Sequence, residues 1–315
     1  METSLPGYFV FPGVRISVLV RALRLPFLTV STLPFICGSV AVPGPFNAAP
    51  FLVGLLSVVC THLGANVLND YGDSVSGADW RDRKYYTYFG GSKLIQNGTL
   101  KESFYRRAGT ILITAGFLSA TGLAVMLQDG LVVLYYMIIL AAAVSYSLKP
   151  LQLSYHRLGE MLIFVIFGPA AVAAGMYAQT GMFPDWNHML ISLPFGLLAV
   201  LVLVANEVPD YLTDRLAGKY TLVSLTGPRY ACILYLIIAA GVPATILMNF
   251  YYGNTGYFSL LSFALFFLAV GSGYIQYKWV DDKNELVRSS RLSTLFQTLT
   301  GLVLIADLLV HSVPK

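Results

Sequence analysis

The sequence predicts an all-α integral membrane protein, one bundle of about nine transmembrane helices around a central cavity. Three observations lead there. Apolar residues make up 56% of the chain and charged residues only 11%. The apolar stretches recur at lengths of about 20 residues, enough to cross a hydrocarbon core. Basic residues, finally, gather in alternate connections between those stretches.

In chain order the spans cover roughly 25–42, 50–69, 108–127, 131–147, 159–179, 190–210, 231–250, 257–277 and 293–311. The first apolar run lacks a small-residue cleavage site and continues as a full span, so it reads as a helix and not as a signal peptide. Alternation then puts the N-terminus on the same side as the segments around 70–107, 148–158, 211–230 and 278–292. These hold nearly every basic residue, and the opposite side keeps only Lys315. By the positive-inside rule the N-terminus is cytoplasmic. The net charge of +4 is therefore a feature of topology and not a nucleic-acid footprint; it suits an anionic lipid surface or an anionic substrate. Cys37, Cys60 and Cys232 are odd in number and lack metal spacing, which argues against a disulfide frame. His62, His156, His188 and His311 are scattered, so no metal site is predicted from them.

The chemistry lies in two short stretches. "NVLNDYGD", residues 66–73, closes the second span with Asn66, Asp70 and Asp73 at i, i+4 and i+7, one face of a helix if the span continues through them. "NEVPDYLTDRLAGKYTL", residues 206–222, repeats the pattern on the sixth span with Asn206, Asp210 and Asp214. Either stretch alone is compatible with a solvated helix end. Together, on the same side of the membrane, they suggest one domain over 1–315 with two related halves, about 15–150 and 151–315, facing each other across the cavity. Pro209 is expected to kink the second carrier helix. Converging carboxylates repel one another unless a cation intervenes, and hard oxygen ligands suit magnesium shared with substrate phosphates. Two such clusters fit metal ions bridging one diphosphate, with lysines and arginines taking the remaining charge.

With those motifs on nine helices, the chain resembles the UbiA superfamily of intramembrane prenyltransferases, from "RALRLPFLTVSTLPFICG" to the last helices. The stretches "NVLNDYGD", "GGSKLIQNG", "YHRLGEMLIFVIFGPAAVAAGMYAQTG" and "DRLAGKYTLVSLTG" are similar to the branch that prenylates 1,4-dihydroxy-2-naphthoate in menaquinone biosynthesis. The resemblance implies a polyprenyl diphosphate donor, dependence on Mg2+ and a prokaryotic cytoplasmic membrane. It also implies prenylation at the carboxyl-bearing carbon of the acceptor with loss of carbon dioxide. Carried over by residue, the first motif falls on Asn66, Asp70 and Asp73 and the second on Asp210 and Asp214, as metal and diphosphate positions. Asp73 follows Asp70 after three residues, where the superfamily often has four. A Tyr-and-Lys pair is matched by Tyr146 and Lys149, one residue closer together than is common.

Arg24, Lys93 and Lys219 are the cations expected to steady the leaving diphosphate as the allylic carbon–oxygen bond breaks. An apolar cavity would keep water from the resulting carbocation. The loop from 74 to 107, with "GGSK" and "IQNG" as hinges, reads as a lid. Glu160 and Glu207 either orient the acceptor or a third metal, or pair with Arg157 or another cation. Two other functions use the same features: a membrane terpene cyclase of the same superfamily, and an ion or lipid transporter, against which both clusters lie at one membrane face.

Overall fold

The computed structural model describes residues 9–11, 14–147 and 149–311. Lys315, the lone basic residue assigned to the far side, lies outside them. A hairpin of β1 (Phe9–Phe11) and β2 (Val14–Arg15), the only strands among the described residues, leads into α1 (Ile16–Ala22). Arg24 then adopts left-handed backbone at φ 52°, and Pro26 opens a short 3-10 turn. The chain therefore bends by 51° before Leu25–Val40, most of which is α2 (Thr29–Val40). The first predicted span is thus one arm of a bent pair.

The remaining helices follow in order: α3 (Ala48–Val75), α4 (Glu102–Leu127), α5 (Leu131–Ser147), α6 (Gly159–Val165) and α7 (Ala171–Thr180), the last two joined by a π-turn at Ile166–Ala170. Next come the short α8 (Trp186–Met189), α9 (Ser192–Leu216), the short α10 (Val223–Thr226), α11 (Ala231–Tyr251), α12 (Phe266–Lys278) after a 3-10 stretch at Tyr257–Leu265, and α13 (Lys283–His311). Among the described residues seven segments are long and apolar enough to cross a membrane, the bent pair makes an eighth, and Leu131–Tyr146 is a shorter apolar helix. All nine predicted spans are helical. Several run past their apolar limits: α3 continues to Val75, α9 to Leu216, and α4 and α13 begin at Glu102 and Lys283. Apolar length reports only the part that must avoid water, whereas backbone hydrogen bonding carries the helix on through polar residues.

Pro209 does not end α9. A proline within a helix leaves the carbonyl four residues earlier without its donor. Here that carbonyl belongs to Ala205, and the Ser290 hydroxyl of α13 donates to it at 3.2 Å. Repair by a neighbouring helix is how membrane helices tolerate proline, and it lets Asp210 and Asp214 stay in register with Asn206.

Small residues bring the helices together. A Cβ on Gly175 of α7 would stand 2.1 Å from the Phe35 carbonyl oxygen of α2, and one on Gly38 would stand 2.1 Å from that of Val172. The two backbones touch, the packing that small residues permit where no hydrophobic drive exists between helices. On α4, Ile111, Leu118 and Val125 recur every seven residues as an exposed, lipid-facing stripe, while Gly109, Gly116 and Leu123 lie against the protein. The most enclosed span is Trp186–Leu216, 67% of whose apolar window is buried. Through α9 one aspartate motif hangs in the middle of the bundle.

Replacing Gly175 by Ala is predicted to lower stability by about 1–3 kcal/mol through overpacking. A reduced unfolding midpoint in a detergent titration would show it; an unchanged midpoint would mean that the α2–α7 contact is looser than described.

Candidate active site

At one end of the bundle a cavity of about 310 Å³ opens between α3 and α9. Helical spacing delivers Asn66 and Asp73 to it from α3, and Asn206, Asp210 and Asp214 from α9. Arg24, Lys93, Tyr146 and Lys219 also line it. Of the residues singled out from sequence, three stand apart: Asp70, Lys149 and Glu160. Asp70 is set just behind the wall, 2% exposed. Lys149 is exposed and is not part of the lining.

The loop after α3 folds back between the two motifs. The Gly90 amide donates to Asp210 Oδ2 at 3.0 Å, and the Ser92 amide donates to Asp70 Oδ2 at 3.0 Å. One residue between those amides belongs to neither motif. Gly91 has φ +74°, and a Cβ there would meet Asp79 Oδ2 at 2.8 Å. Only glycine meets both demands, left-handed backbone and a carboxylate at van der Waals distance. The loop is anchored further: Ser92 Oγ and the buried Tyr105 hydroxyl share a hydrogen bond of 2.6 Å, and Lys283 Nζ reaches Asp82 Oδ2 at 2.7 Å.

Asp79 and Asp82 were not singled out in the sequence, yet both line the cavity. The usable signal was their sign, since they are acidic residues in a loop that is otherwise basic. Asp79 pairs with Lys93 at 2.7 Å, and the two are among the buried charged residues. Burial pushes the Asp79 carboxyl up, and Lys93 offsets part of that rise. Lys93 is therefore engaged with the loop's own carboxylate. Lys219 lies 3.1 Å from Asp214 Oδ2. Burial opposes its ammonium form, but Asp214, Tyr146, Asp73 and Glu207 outweigh that and hold it well above its ordinary value. It is a permanent cation facing the cavity. Arg24 Nη1 stands 3.6 Å from Asp70 Oδ1.

Glu160 accepts a hydrogen bond from the Leu222 amide, and so ties α6 to the start of α10. Arg157 instead lies over the Tyr220 ring, 5.8 Å from its centre. Glu207 lines the cavity, with Oε2 buried and without a hydrogen-bond partner.

The donor set bears on a metal. Among the described residues no group of three His, Cys, Asp or Glu side chains is gathered closely enough to hold one unaided. Asn206 Oδ1 and Glu207 Oε2 are nonetheless buried oxygens without a partner, while Asp70 Oδ1 and Asp214 Oδ2 are buried with only the Arg24 and Lys219 cations beside them. Buried acceptors left open in this way call for a partner. A hard cation that takes one or two carboxylates and completes its shell with phosphate and water fits them, and magnesium is such a cation. The residues fit the group.

A second cavity, about 190 Å³ and chiefly apolar, continues from the first; both are lined by His62, Ala65, Asn66, Ala143, Ile166 and Phe167. The π-turn around Pro169 contributes Ile166 and Phe167 to this neck. Along α3 the apolar cavity runs from Asn66 to Gly54, a length of about 18 Å at 1.5 Å per residue.

Residues 30–296 match the UbiA prenyltransferase family. The chain belongs to that family. It is 33% identical over 199 residues to the 1,4-dihydroxy-2-naphthoate octaprenyltransferase of Mycobacterium tuberculosis, covering 62% of this chain and 65% of that one. It is 26% identical over 232 residues to the 2-carboxy-1,4-naphthoquinone phytyltransferase of Synechocystis, covering 70% and 72%. The chain thus spans slightly less than two thirds of the Mycobacterium relative's length. A UbiA homolog from Archaeoglobus fulgidus, solved bound to GPP and Mg2+, shares the fold with a TM-score of 0.57 at 15% identity over 92% of this chain and 99% of that one.

Breaking the buried Lys93–Asp79 pair with Lys93→Met is predicted to cost about 3–5 kcal/mol, because the carboxylate is left buried and unpaired. The double variant K93M/D79L should recover most of that loss in an unfolding titration. Equal destabilisation of the single and double variants would show that the pair does not anchor the loop.

Proposed function

We propose that the protein transfers a polyprenyl group from a polyprenyl diphosphate to 1,4-dihydroxy-2-naphthoate, with loss of carbon dioxide, in a magnesium-dependent step of menaquinone biosynthesis. One observation carries the reading. Both aspartate motifs and the cations Arg24, Lys93 and Lys219 border one chamber, which continues into an almost wholly apolar channel. A prenyl diphosphate has that same division, a dianionic or trianionic head on a hydrocarbon tail. The names of the naphthoate and naphthoquinone relatives support the acceptor class.

Asn66, Asp70, Asp73, Asp210 and Asp214 would hold magnesium, which when bound neutralises charge on the diphosphate as it leaves. Arg24 and Lys219 add fixed positive charge on the same side, and Lys93 does so if the head group displaces Asp79 from it. The electrons of the allylic carbon–oxygen bond leave with the diphosphate. The first carbon of the prenyl chain then lies at the neck, where Phe167, Ile166, Ala65 and Ala143 exclude water that would quench the cation to an alcohol. The acceptor's carboxyl-bearing ring carbon supplies the new bond, and carbon dioxide departs with a proton-free restoration of aromaticity. No strong base is required. The loop between α3 and α4 closes over the head group and Tyr146 borders it, while Lys149 faces away as a lipid-surface anchor. The basic loops support a cytoplasmic N-terminus, and the bacterial relatives support a prokaryotic membrane.

Purified protein in lipid, with magnesium, a labelled polyprenyl diphosphate and the naphthoate, is expected to yield decarboxylated prenyl naphthol and diphosphate together. Asp73→Asn and Asp214→Asn should each lower kcat by about 10²–10³. Diphosphate release without aromatic product would replace this reading by the terpene cyclase one. Full activity in either variant would remove the metal assignment.

A further inference from the structure

Outside the chamber, α1 and the loop residues 85–94 enclose a third cavity of about 400 Å³, within the size range of small-molecule sites. It meets the chamber at Arg24, Phe89 and Gly91, which line both. Its walls are mixed in a particular way. Val18, Val20 and Leu94 are apolar, Tyr88 and Phe89 are aromatic, and Arg21 is the charged residue that stands away from the junction.

Arg21 is held rigidly. Its guanidinium carbon sits 3.7 Å from the centre of the Tyr85 ring, and its Nε donates to the Ser92 carbonyl. Its Nη2 is buried and has no hydrogen-bond partner. An arginine fixed by stacking and by one hydrogen bond, with one terminal nitrogen still without an acceptor, has a donor to spare for a carboxylate. A buried guanidinium nitrogen left without an acceptor is costly in itself, so the open nitrogen needs explaining. Beside it, the aromatic rings give a flat molecule something to lie against.

We propose that this cavity is an antechamber for the aromatic acceptor, which docks its carboxylate on the open nitrogen of Arg21 before passing Phe89 and Gly91 into the chamber. The inference rests on the prenyl-transfer reading and adds to it a route and a recognition residue. The donor does not use this path, since its head group and tail are accommodated by the chamber and the apolar channel. The Ser92 carbonyl that positions Arg21 belongs to the residue whose amide holds Asp70, so acceptor docking and the first aspartate motif share one loop residue.

The test is equilibrium binding to the full chain in neutral-lipid nanodiscs without donor, using 1-hydroxy-2-naphthoate and, as the partner lacking a carboxylate, 1-naphthol. The wild type is expected to bind the acid about tenfold more tightly than the naphthol. Arg21→Met should remove that preference, while leaving naphthol and a non-ionisable prenyl thiodiphosphate within about twofold of their wild-type affinities. Val20→Trp, at the cavity rim where the residue is 39% exposed, should weaken both aromatics and leave the thiodiphosphate alone. The proposal is overturned if R21M leaves the acid's affinity unchanged, or if it weakens the thiodiphosphate equally, which marks Arg21 as a strut of the loop. It is also overturned if anionic-lipid nanodiscs abolish acid binding by the wild type, which assigns the open nitrogen to a lipid phosphate. Failure of the prenyl-transfer reading shows separately, as absence of turnover by a wild type that still binds the acid through Arg21.

Discussion

Two carboxylates on opposite helices, the buried Asp70 and the half-buried Asp210, are held apart and in place by two backbone amides of one loop. Gly90 and Ser92 donate to them from positions two residues apart, and the geometry leaves room for nothing but glycine at position 91. Hydrogen bonds to ionised acceptors are roughly twice as strong as neutral ones, and here they do more than stabilise. They fix the distance between α3 and α9 at the chamber and decide where the loop lies. Lys93–Asp79 and Lys283–Asp82 fasten the same loop to itself and to α13. Burial alone would raise the Asp82 carboxyl, but hydrogen bonds from Lys283 and the Lys84 amide bring it below its ordinary value, so that anchor is ionic across the neutral range.

From this constraint the division of labour follows. The chamber gathers its charged groups beside the loop, and the channel beyond the neck is apolar because α3, α5 and α7 turn small, aliphatic and aromatic residues toward it. A reaction that separates a diphosphate from a carbocation needs both media within a bond length of each other. The neck of Ile166 and Phe167 on the π-turn is where they meet.

The sequence carried much of this, and the residues show why it stopped where it did. Spans were legible because a length of about 20 apolar residues is a direct consequence of bilayer thickness. Facing aspartates were legible because helical spacing fixes which side chains share a face. Helix ends were not, since α3 and α9 continue through the very polar residues that end the hydropathy signal. The passage of α9 through Pro209 depends on Ser290, 81 positions away in the chain, donating to the Ala205 carbonyl; no local pattern announces it. The same holds for Asp79 and Asp82, whose roles arise from how the loop between α3 and α4 (76–101) folds back. Lys93 was legible as a cation near the site but not as the partner of Asp79. Lys149 was assigned because it matches, with Tyr146, a Tyr-and-Lys pair of the family, and the chain turns it outward.

The central claim is that the two aspartate motifs form one diphosphate site and not two. A double-mutant cycle on binding of a non-ionisable prenyl thiodiphosphate, with magnesium, tests it most directly: Asp73→Asn, Asp214→Asn and the pair together. If one head group bridges both motifs, each single variant weakens binding about as much as the double does. Strictly additive losses in the double variant would contradict the account, because they would mean that each motif binds independently of the other.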